Sequence, residues 1–215
     1  MKWSEGRYRS RAEAGRILAD DVARQVPADG VMVLGLARGG VPVAAEVAAR
    51  LEAPLDVLSV RKIGTPGHVE LAIGAIATGG LVVRNDELIA RLGLREADVD
   101  ERIAVAVAEL ADRDARLRGD RPPPVLAGAT VVIVDDGLAT GATMRAAIDA
   151  VRTADPQRIV VAVPVGPPDT VAELAQLADD VVCPRQPPAF VAVGQWYRDF
   201  GETTDADVVA LLTAG

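Results

Sequence analysis

The sequence predicts an α/β fold in which a parallel sheet is covered by helices on both faces. Short, continuous apolar runs alternate with segments whose apolar residues recur at helical spacing, the pattern of buried strands joined by helices. Of the 215 residues, 50% are hydrophobic and 25% are charged, a globular composition that excludes a disordered or disulfide-stapled chain. At about 150 residues per domain, we expect a single domain over residues 1–215.

In the first half of the chain, helix and strand signals alternate. Apolar spacing predicts a helix over 10–25, which ends before Pro27. The apolar run 31–35 lies between turn signals and predicts a buried strand. The elements expected next are a helix over 41–51, a strand over 55–60, short strands near 74–78 and over 81–84, a short helix capped by Asn85, and a helix over 98–117.

The second half contains the clearest strand signal in the sequence. Pro122, Pro123 and Pro124 interrupt the chain, and the largely β-branched run 130–134 follows. The elements expected after it are a helix over 143–152, a strand over 158–163, a helix over 169–178, a strand over 181–182, and a helix over 205–212 with Thr204 as its N-cap. Parallel sheets bind ligands at the carboxyl ends of their strands, so functional residues are expected there.

Charge and cysteine content limit the classes of partner. With 23 basic and 31 acidic residues the formal net charge is −8, which argues against a nucleic-acid-binding protein. Cys183 is the only cysteine, which excludes an intrachain disulfide and argues against a thiolate zinc site. The first residues lack the apolar region of a signal peptide, and no run approaches the ~20 apolar residues that span a bilayer. We therefore expect a soluble cytoplasmic protein without a nucleic-acid or membrane partner.

Two adjacent carboxylates, Asp135 and Asp136, follow the predicted strand 130–134. They cannot both point into the core, because burying an unpaired charge is costly, so we expect them to face a ligand, a metal or water. The small residues 139–143 can turn backbone N–H groups and two threonine hydroxyls toward an anion at a helix N-terminus. This pattern favours a phosphate monoester as the ligand. The alternative is a helix-capping loop with two solvated aspartates.

The segment Asp-Asp-Gly-Leu-Ala-Thr-Gly-Ala-Thr, which starts at Asp135, closely resembles the phosphoribosyl pyrophosphate (PRPP) signature of type I phosphoribosyltransferases, especially adenine phosphoribosyltransferases. The resemblance implies that Asp135 and Asp136 hold the ribose 2- and 3-hydroxyls. It also implies that the 5-phosphate is bound by Ala139, Thr140, Gly141, Ala142 and Thr143. Ala139 departs from the 6-oxopurine members, in which an aspartate here is credited with general-base work. Alanine cannot move a proton.

A second glycine-rich loop, Ala37-Arg38-Gly39-Gly40, follows the first predicted strand. Its glycines permit close backbone approach, and Arg38 offers planar donors to a phosphate. The alternative is an ordinary strand-to-helix turn with a surface arginine. The position of the loop resembles that of the pyrophosphate loop of the same family, which implies that all four residues bind pyrophosphate. It also implies a non-proline cis peptide at Ala37–Arg38.

The segment 59–70 is expected to leave a strand and become a polar loop. Family members carry a mobile flap here, which implies that Arg61 and Lys62 neutralise the leaving pyrophosphate. The alternative is a pair of solvated basic residues at a strand end. His68, the only histidine, is interpreted as a loop residue because no second metal ligand accompanies it. Glu70 is a candidate general base in place of the missing aspartate, or a surface glutamate.

All six aromatic residues lie near the chain ends, and four of them fall within 190–200. Stacking of a base on an aromatic ring is worth ~1–3 kcal/mol, so this aromatic segment suits a flat heteroaromatic ligand. It resembles the hood of 6-oxopurine phosphoribosyltransferases, in which a phenylalanine stacks on the purine. Phe190 matches that residue approximately, and Val191 and Trp196 complete the candidate base-binding set. The alternative is that the rings cover the sheet or form a dimer contact.

The resemblance covers roughly residues 31–200 and implies a type I phosphoribosyltransferase-like domain with a core over about 31–183 and a hood and final helix over about 184–215. It implies that a nitrogen of a purine-like base displaces pyrophosphate from PRPP, and that Mg2+ is held through PRPP and water without a direct protein ligand. We also expect a homo-oligomer. The alternative function is a catalytically silent PRPP- or nucleotide-sensing regulator on the same fold. A Rossmann-like domain is excluded because no Gly-x-Gly-x-x-Gly follows the first strand.

Overall fold

The structure is a computed structural model that describes residues 6–27, 29–65 and 68–214, without the side chains of 68–71. Its strands are β1 (Val31–Leu36), β2 (Leu55–Leu58), β3 (Val60–Thr65), β4 (His68–Ala77), β5 (Leu81–Arg84), β6 (Thr130–Val134), β7 (Arg158–Ala162) and β8 (Asp180–Val182). Its helices are α1 (Arg11–Ala23), α2 (Val41–Leu51), α3 (Asp86–Arg91), α4 (Glu96–Arg118), α5 (Ala142–Arg152), α6 (Pro168–Leu174) and α7 (Asp205–Ala214), with a 3-10 helix over Val193–Trp196. No helix in these described ranges is both long and apolar enough to cross a membrane.

The main sheet has the strand order β2-β1-β6-β7-β8, and every neighbouring pair is parallel. Strand β6 lies at its centre and is buried along its whole length. Val132 and Val134 pack into the apolar layer formed with α1, α2 and α7, whereas Val131 and Ile133 pack into the layer formed with α5 and α6. The side-chain alternation of one strand thus serves both faces. The predicted parallel sheet with helices on both faces is confirmed.

A second sheet of three antiparallel strands, β3-β4-β5, lies beside the main one. The predicted strand over 55–60 is therefore divided between the two sheets. Its first part ends at Leu58 in the main sheet, and β3 begins at Val60. At the junction, the backbone N–H of Ser59 donates a hydrogen bond to Thr78 Oγ1 (2.8 Å). This bond holds the chain where it passes from one sheet to the other.

The predicted polar loop over 59–70 is wrong. Residues 60–65 form β3 and pair with β4, with an irregular register at Gly64. The reason is Ile63, which is buried in an apolar cluster with Ile73 of β4 and Leu110 of α4. Leu110 lies far away in sequence, and burial of Ile63 against both partners outweighs the local turn signal. Pro66 and Gly67, which supplied part of that signal, lie outside the described residues.

The other predicted elements occur close to their expected positions. Asn85 caps α3 by accepting a hydrogen bond from the backbone N–H of Leu88 (3.0 Å), as expected. The hydroxyl of Thr204 accepts one from the backbone N–H of Asp207 (3.1 Å) at the start of α7. The largest difference is in β4, which begins at His68 although the pattern predicts a strand only from about residue 74, so the expected assignment of His68 to a loop is wrong. Helix α6 ends at Leu174 although the pattern predicts a helix to residue 178.

Candidate functional site

Two loops meet at the carboxyl edge of the main sheet. The β1 loop (37–40) and the β6 loop (135–143) follow neighbouring parallel strands. A Cβ on Gly40 would lie 2.5 Å from the Val134 carbonyl oxygen and 2.9 Å from Asp135 Cα, and a Cβ on Gly39 would collide with Asp136 Oδ2. Only glycine permits this close approach. The peptide bond Ala37–Arg38 is cis, as the resemblance implies.

Asp136 has a protein partner that the sequence analysis did not foresee. Its Oδ2 accepts a hydrogen bond from Nε of Arg11, the first residue of α1, at 2.8 Å. The residue is buried, with 9% of its surface exposed. An arginine therefore compensates a charge that the core could not otherwise accept.

Asp135 forms no ion pair with the residues that the structure describes, although the charge of Arg11 acts on it from a distance. It is half-buried, and its Oδ1 accepts a hydrogen bond from the backbone N–H of Asp136 (2.8 Å). Burial, and then the negative charge of Asp136, raise the pKa of Asp135 well above its usual range. Burial also raises the pKa of Asp136, although Arg11 opposes the shift. Ionised carboxylates here need hydroxyl donors or a nearby cation, and a bound sugar would supply the donors.

The remainder of the β6 loop leads into α5 and packs against α6. Gly141 has a φ of +70°, and a Cβ there would lie 2.7 Å from Thr170 Cγ2 of α6. Arg145 donates a hydrogen bond to the carbonyl oxygen of Thr140 (2.6 Å) and pairs with Glu173 of α6 (2.8 Å). The side chains of Thr140 and Thr143 are exposed at the N-terminus of α5. This arrangement can receive a phosphate.

Two of the three basic residues predicted to bind pyrophosphate are paired with carboxylates of the protein. Arg38 forms ion pairs with Glu202 and, at 3.2 Å, with Asp205 of α7. Arg61 on β3 pairs with Glu109 of α4. Lys62 lines a cavity of about 580 Å3 between the second sheet and the start of α5, next to Ala142 and Arg145 of that helix. The side chain of Glu70 lies outside the described part of the chain, although its backbone belongs to β4.

The aromatic segment (190–200) covers the β6 loop. The 3-10 helix packs so closely that a Cβ on Gly137 would lie 2.6 Å from Val193 Cγ1. The hydroxyl of Tyr197, a buried residue, donates a hydrogen bond to the carbonyl oxygen of Asp136 (2.6 Å). Phe190 and Trp196 are half-buried and nearly parallel, with ring centroids 6.4 Å apart and planes 12° apart, and Val191 is exposed. The ring of Tyr197 is therefore a packing ring, whereas the half-buried rings of Phe190 and Trp196 are the accessible rings of the segment.

Comparison with known proteins identifies the family. The profile of the phosphoribosyl transferase domain matches residues 9–200. The chain belongs to the phosphoribosyl transferase family.

Relatives of this chain include two proteins of Mycobacterium tuberculosis, MT0597 (strain CDC 1551 / Oshkosh) and Rv0571c (strain ATCC 25618 / H37Rv), both provisionally named phosphoribosyl transferases. Each is 49% identical over 205 residues, which are 95% of this chain and 46% of the relative. The chain thus spans about half the length of these curated relatives. The crystal structure of TT1426 from Thermus thermophilus is 44% identical, with a TM-score of 0.86, and the match covers 97% of this chain and 98% of that one.

The structure brings together the β1 loop and the acid pair Asp135 and Asp136, as the motifs predict. Sequence reasoning missed Arg11 and the buried tyrosines at the two chain ends. Tyr8 forms an isolated parallel bridge with Tyr197, and its hydroxyl donates a hydrogen bond to the carbonyl oxygen of Pro164 (3.0 Å). The concentration of aromatic residues near both chain ends was the signal that could have indicated this contact. The middle of the chain contains no aromatic residues, so these rings are expected to pack on each other.

Proposed function

We propose that this protein transfers the 5-phosphoribosyl group of PRPP to a nitrogenous base and releases pyrophosphate. The observation that carries the proposal is the direct contact of the β1 loop with Asp136, which puts the predicted pyrophosphate and ribose subsites side by side. The exposed threonines of the β6 loop lie on the same side of the sheet and suit the 5-phosphate. Family membership supports a transferase.

In the proposed reaction, the bond between the anomeric carbon and pyrophosphate breaks, and a bond from that carbon to a base nitrogen forms. Because the transition state resembles an oxocarbenium ion, the protein mainly stabilises the leaving group and orients the nucleophile. The β1 loop, Arg61 and Lys62 are assigned to the leaving pyrophosphate. Glu70 remains the candidate general base, because the methyl group of Ala139 cannot accept a proton.

The site also suits Mg2+ held through the substrate. Mg2+ prefers oxygen ligands and keeps several waters. The acid pair supplies negative charge beside the proposed ribose subsite. We propose that Mg2+ is held through PRPP oxygens and water, without a direct protein ligand. Bound in this way, Mg2+ would neutralise pyrophosphate charge.

We assign the acceptor side to the accessible rings Phe190 and Trp196, together with Val191, and propose a purine-like base as the acceptor. A flat base can stack on such rings, and their hydrophobic faces exclude water from the reacting nitrogen. A homo-oligomer and a cytoplasmic location remain predictions from the sequence.

A PRPP- or nucleotide-sensing protein is the second candidate. The observations that favour it are Ala139, which removes a general base, and the ion pairs that occupy Arg38. Pyrophosphate release from PRPP and Mg2+, measured against a panel of purine and pyrimidine bases, separates the two functions. A transferase releases pyrophosphate with at least one base. A sensor shows a higher Tm with PRPP but no release with any base. If PRPP neither raises the Tm nor gives pyrophosphate release with any base, both candidate functions are overturned.

A further inference from the structure

Arg11 joins three parts of the molecule that no sequence motif connects. Its Nε donates to Asp136 Oδ2 (2.8 Å), and its terminal nitrogen Nη1 donates to the carbonyl oxygen of Gly201 (2.7 Å). Its guanidinium carbon lies 4.0 Å from the ring centroid of Phe200. The side chains of Arg11 and Asp136 are only 13% and 12% exposed. The pair is thus shielded from the solvent that makes most surface ion pairs weak.

The guanidinium also lies at the junction of the two loops. A Cβ on Gly39 would collide with Asp136 Oδ2 and would lie 3.6 Å from Arg11 Nε. Arg11 therefore borders both the β1 loop and the acid pair. Because Arg11 engages Oδ2, we assign Oδ1 of Asp136 to the ligand hydroxyl.

We propose that Arg11 is a positioning residue for ribose binding, which fixes the orientation and the negative charge of Asp136 so that Oδ1 accepts a ribose hydroxyl. This inference rests on the proposed PRPP-binding function. A carboxylate held in one rotamer by a planar donor loses less conformational freedom when the sugar binds. The contacts to Gly201 and Phe200 hold Arg11 in turn, so the C-terminal part of the chain supports the ribose subsite.

The charge of Asp136 depends on its surroundings. Among the described residues, the titratable groups that face it are Arg11 of α1, Asp135 of its own loop and Tyr197 of the aromatic segment. Burial raises the pKa of Tyr197, so it stays neutral near pH 7. Arg11 lowers the pKa of both carboxyls. Removal of Arg11 should therefore move their titration to higher pH.

The test compares Arg11→Gln, Arg11→Lys and the matched control Arg16→Gln. Arg16 lies on the same helix and pairs with Glu46 at the surface, away from the two loops. The Kd for PRPP with Mg2+ is measured by calorimetry between pH 5 and 9, together with the Tm of each variant. Arg11→Gln should weaken binding by about 10-fold or more near pH 7, the size expected for one charge-assisted hydrogen bond, and the loss should grow as the pH falls.

Arg11→Lys keeps the positive charge but not the planar donor, so it should recover the pH profile but only part of the affinity, and Arg16→Gln should match the wild type. A purely structural role for Arg11 would lower the Tm without a shift in the pH profile, and that result would overturn the inference. PRPP affinity unchanged in Arg11→Gln at every pH would also overturn it. Wild-type protein that binds no PRPP would instead overturn the proposed function itself.

If Arg11→Gln does not fold, Asp136→Asn provides the second test. An asparagine has no charge for Arg11 to maintain, so Asp136→Asn and the double variant Arg11→Lys/Asp136→Asn should bind PRPP equally. An additional loss in the double variant, equal to that of Arg11→Lys alone, would show that Arg11 acts independently of Asp136 and would overturn the inference.

Discussion

The β6 loop and the aromatic segment form adjoining surfaces in different ways. The β6 loop draws its chemistry from consecutive residues, since strand, acid pair and small-residue turn follow one another in 130–143. The aromatic segment depends on contacts between the chain ends, where Tyr8 bridges to Tyr197. The residues proposed to bind phosphate and sugar are therefore consecutive in the sequence, whereas the surface proposed for the acceptor base is formed by parts of the chain that the fold brings together.

The two regions meet at Asp136. Its carbonyl oxygen accepts a hydrogen bond from Tyr197, and its carboxylate is held by Arg11, which also contacts Phe200. If the proposed roles are correct, changes in the β6 loop should act on PRPP, and changes in the accessible rings should act on the base.

The largest effect is expected from the double variant Asp135→Asn/Asp136→Asn. Two charge-assisted hydrogen bonds to ribose hydroxyls contribute ~1.5–3 kcal/mol each, so PRPP affinity should fall by about 100-fold or more. Thermal shift and calorimetry with PRPP and Mg2+ measure the loss, with the exposed Asp112→Asn of α4 as the control. An unchanged PRPP affinity would show that the acid pair does not bind the ribose.

Arg38→Ala and Lys62→Ala should reduce turnover by about 100-fold, the typical result of removing one donor that stabilises developing charge. Binding of a nucleoside 5-monophosphate should change little, because that ligand lacks pyrophosphate. Steady-state kinetics and monophosphate titration provide the two readouts, with Arg50→Ala at the surface of α2 as the control. Comparable losses in both would mean that these residues serve a different phosphate.

On the acceptor side, Phe190→Ala should cost ~1–3 kcal/mol in base or nucleotide affinity and leave PRPP binding nearly unchanged. Tryptophan fluorescence should report base binding through Trp196, and Trp196→Phe identifies its share of the signal. If Phe190→Ala instead lowers the Tm or dissociates an oligomer at constant nucleotide affinity, Phe190 is a packing residue. The base site would then lie elsewhere.

Asp135→Asn should stabilise the ligand-free protein near neutral pH. Burial raises the pKa of folded Asp135 above its unfolded value, so its favourable contribution is present at low pH and is lost as the pH rises through the folded pKa. Asparagine removes this penalty, and each kcal/mol should raise the Tm by about 2–4 °C. Thermal melts should show this gain at pH 7.5 and little difference at pH 3. A lower Tm at both values would contradict the burial argument.

The smallest effect is expected when Arg38 is released from its carboxylate partners. Exposed ion pairs are worth ~0.2–1 kcal/mol, so Glu202→Gln with Asp205→Asn should strengthen PRPP binding by about two- to fivefold. Titration at low and high salt measures this gain, which should shrink as salt screens the pairs. Weaker binding in the variant would show that these acids help to hold the ligand.

The sequence was most informative where neighbours in the chain are neighbours in space. The buried run 130–134 and the acid pair could be predicted because their chemistry is consecutive. Strand β3 could not, because the burial of Ile63 depends partly on α4, which is remote in sequence. The pairing of Arg11 with Asp136 could not be predicted either. The sequence does not distinguish an arginine in the first turn of a helix that pairs with a buried carboxylate from one that is exposed to solvent.

The most direct test of the proposed function is a crystal structure of the protein with PRPP and Mg2+ in the absence of a base. We expect ribose hydroxyls on Asp135 and Asp136, pyrophosphate along the β1 loop, and the 5-phosphate at residues 139–143. PRPP bound with its pyrophosphate remote from the β1 loop, or with its ribose remote from the acid pair, would contradict the proposal.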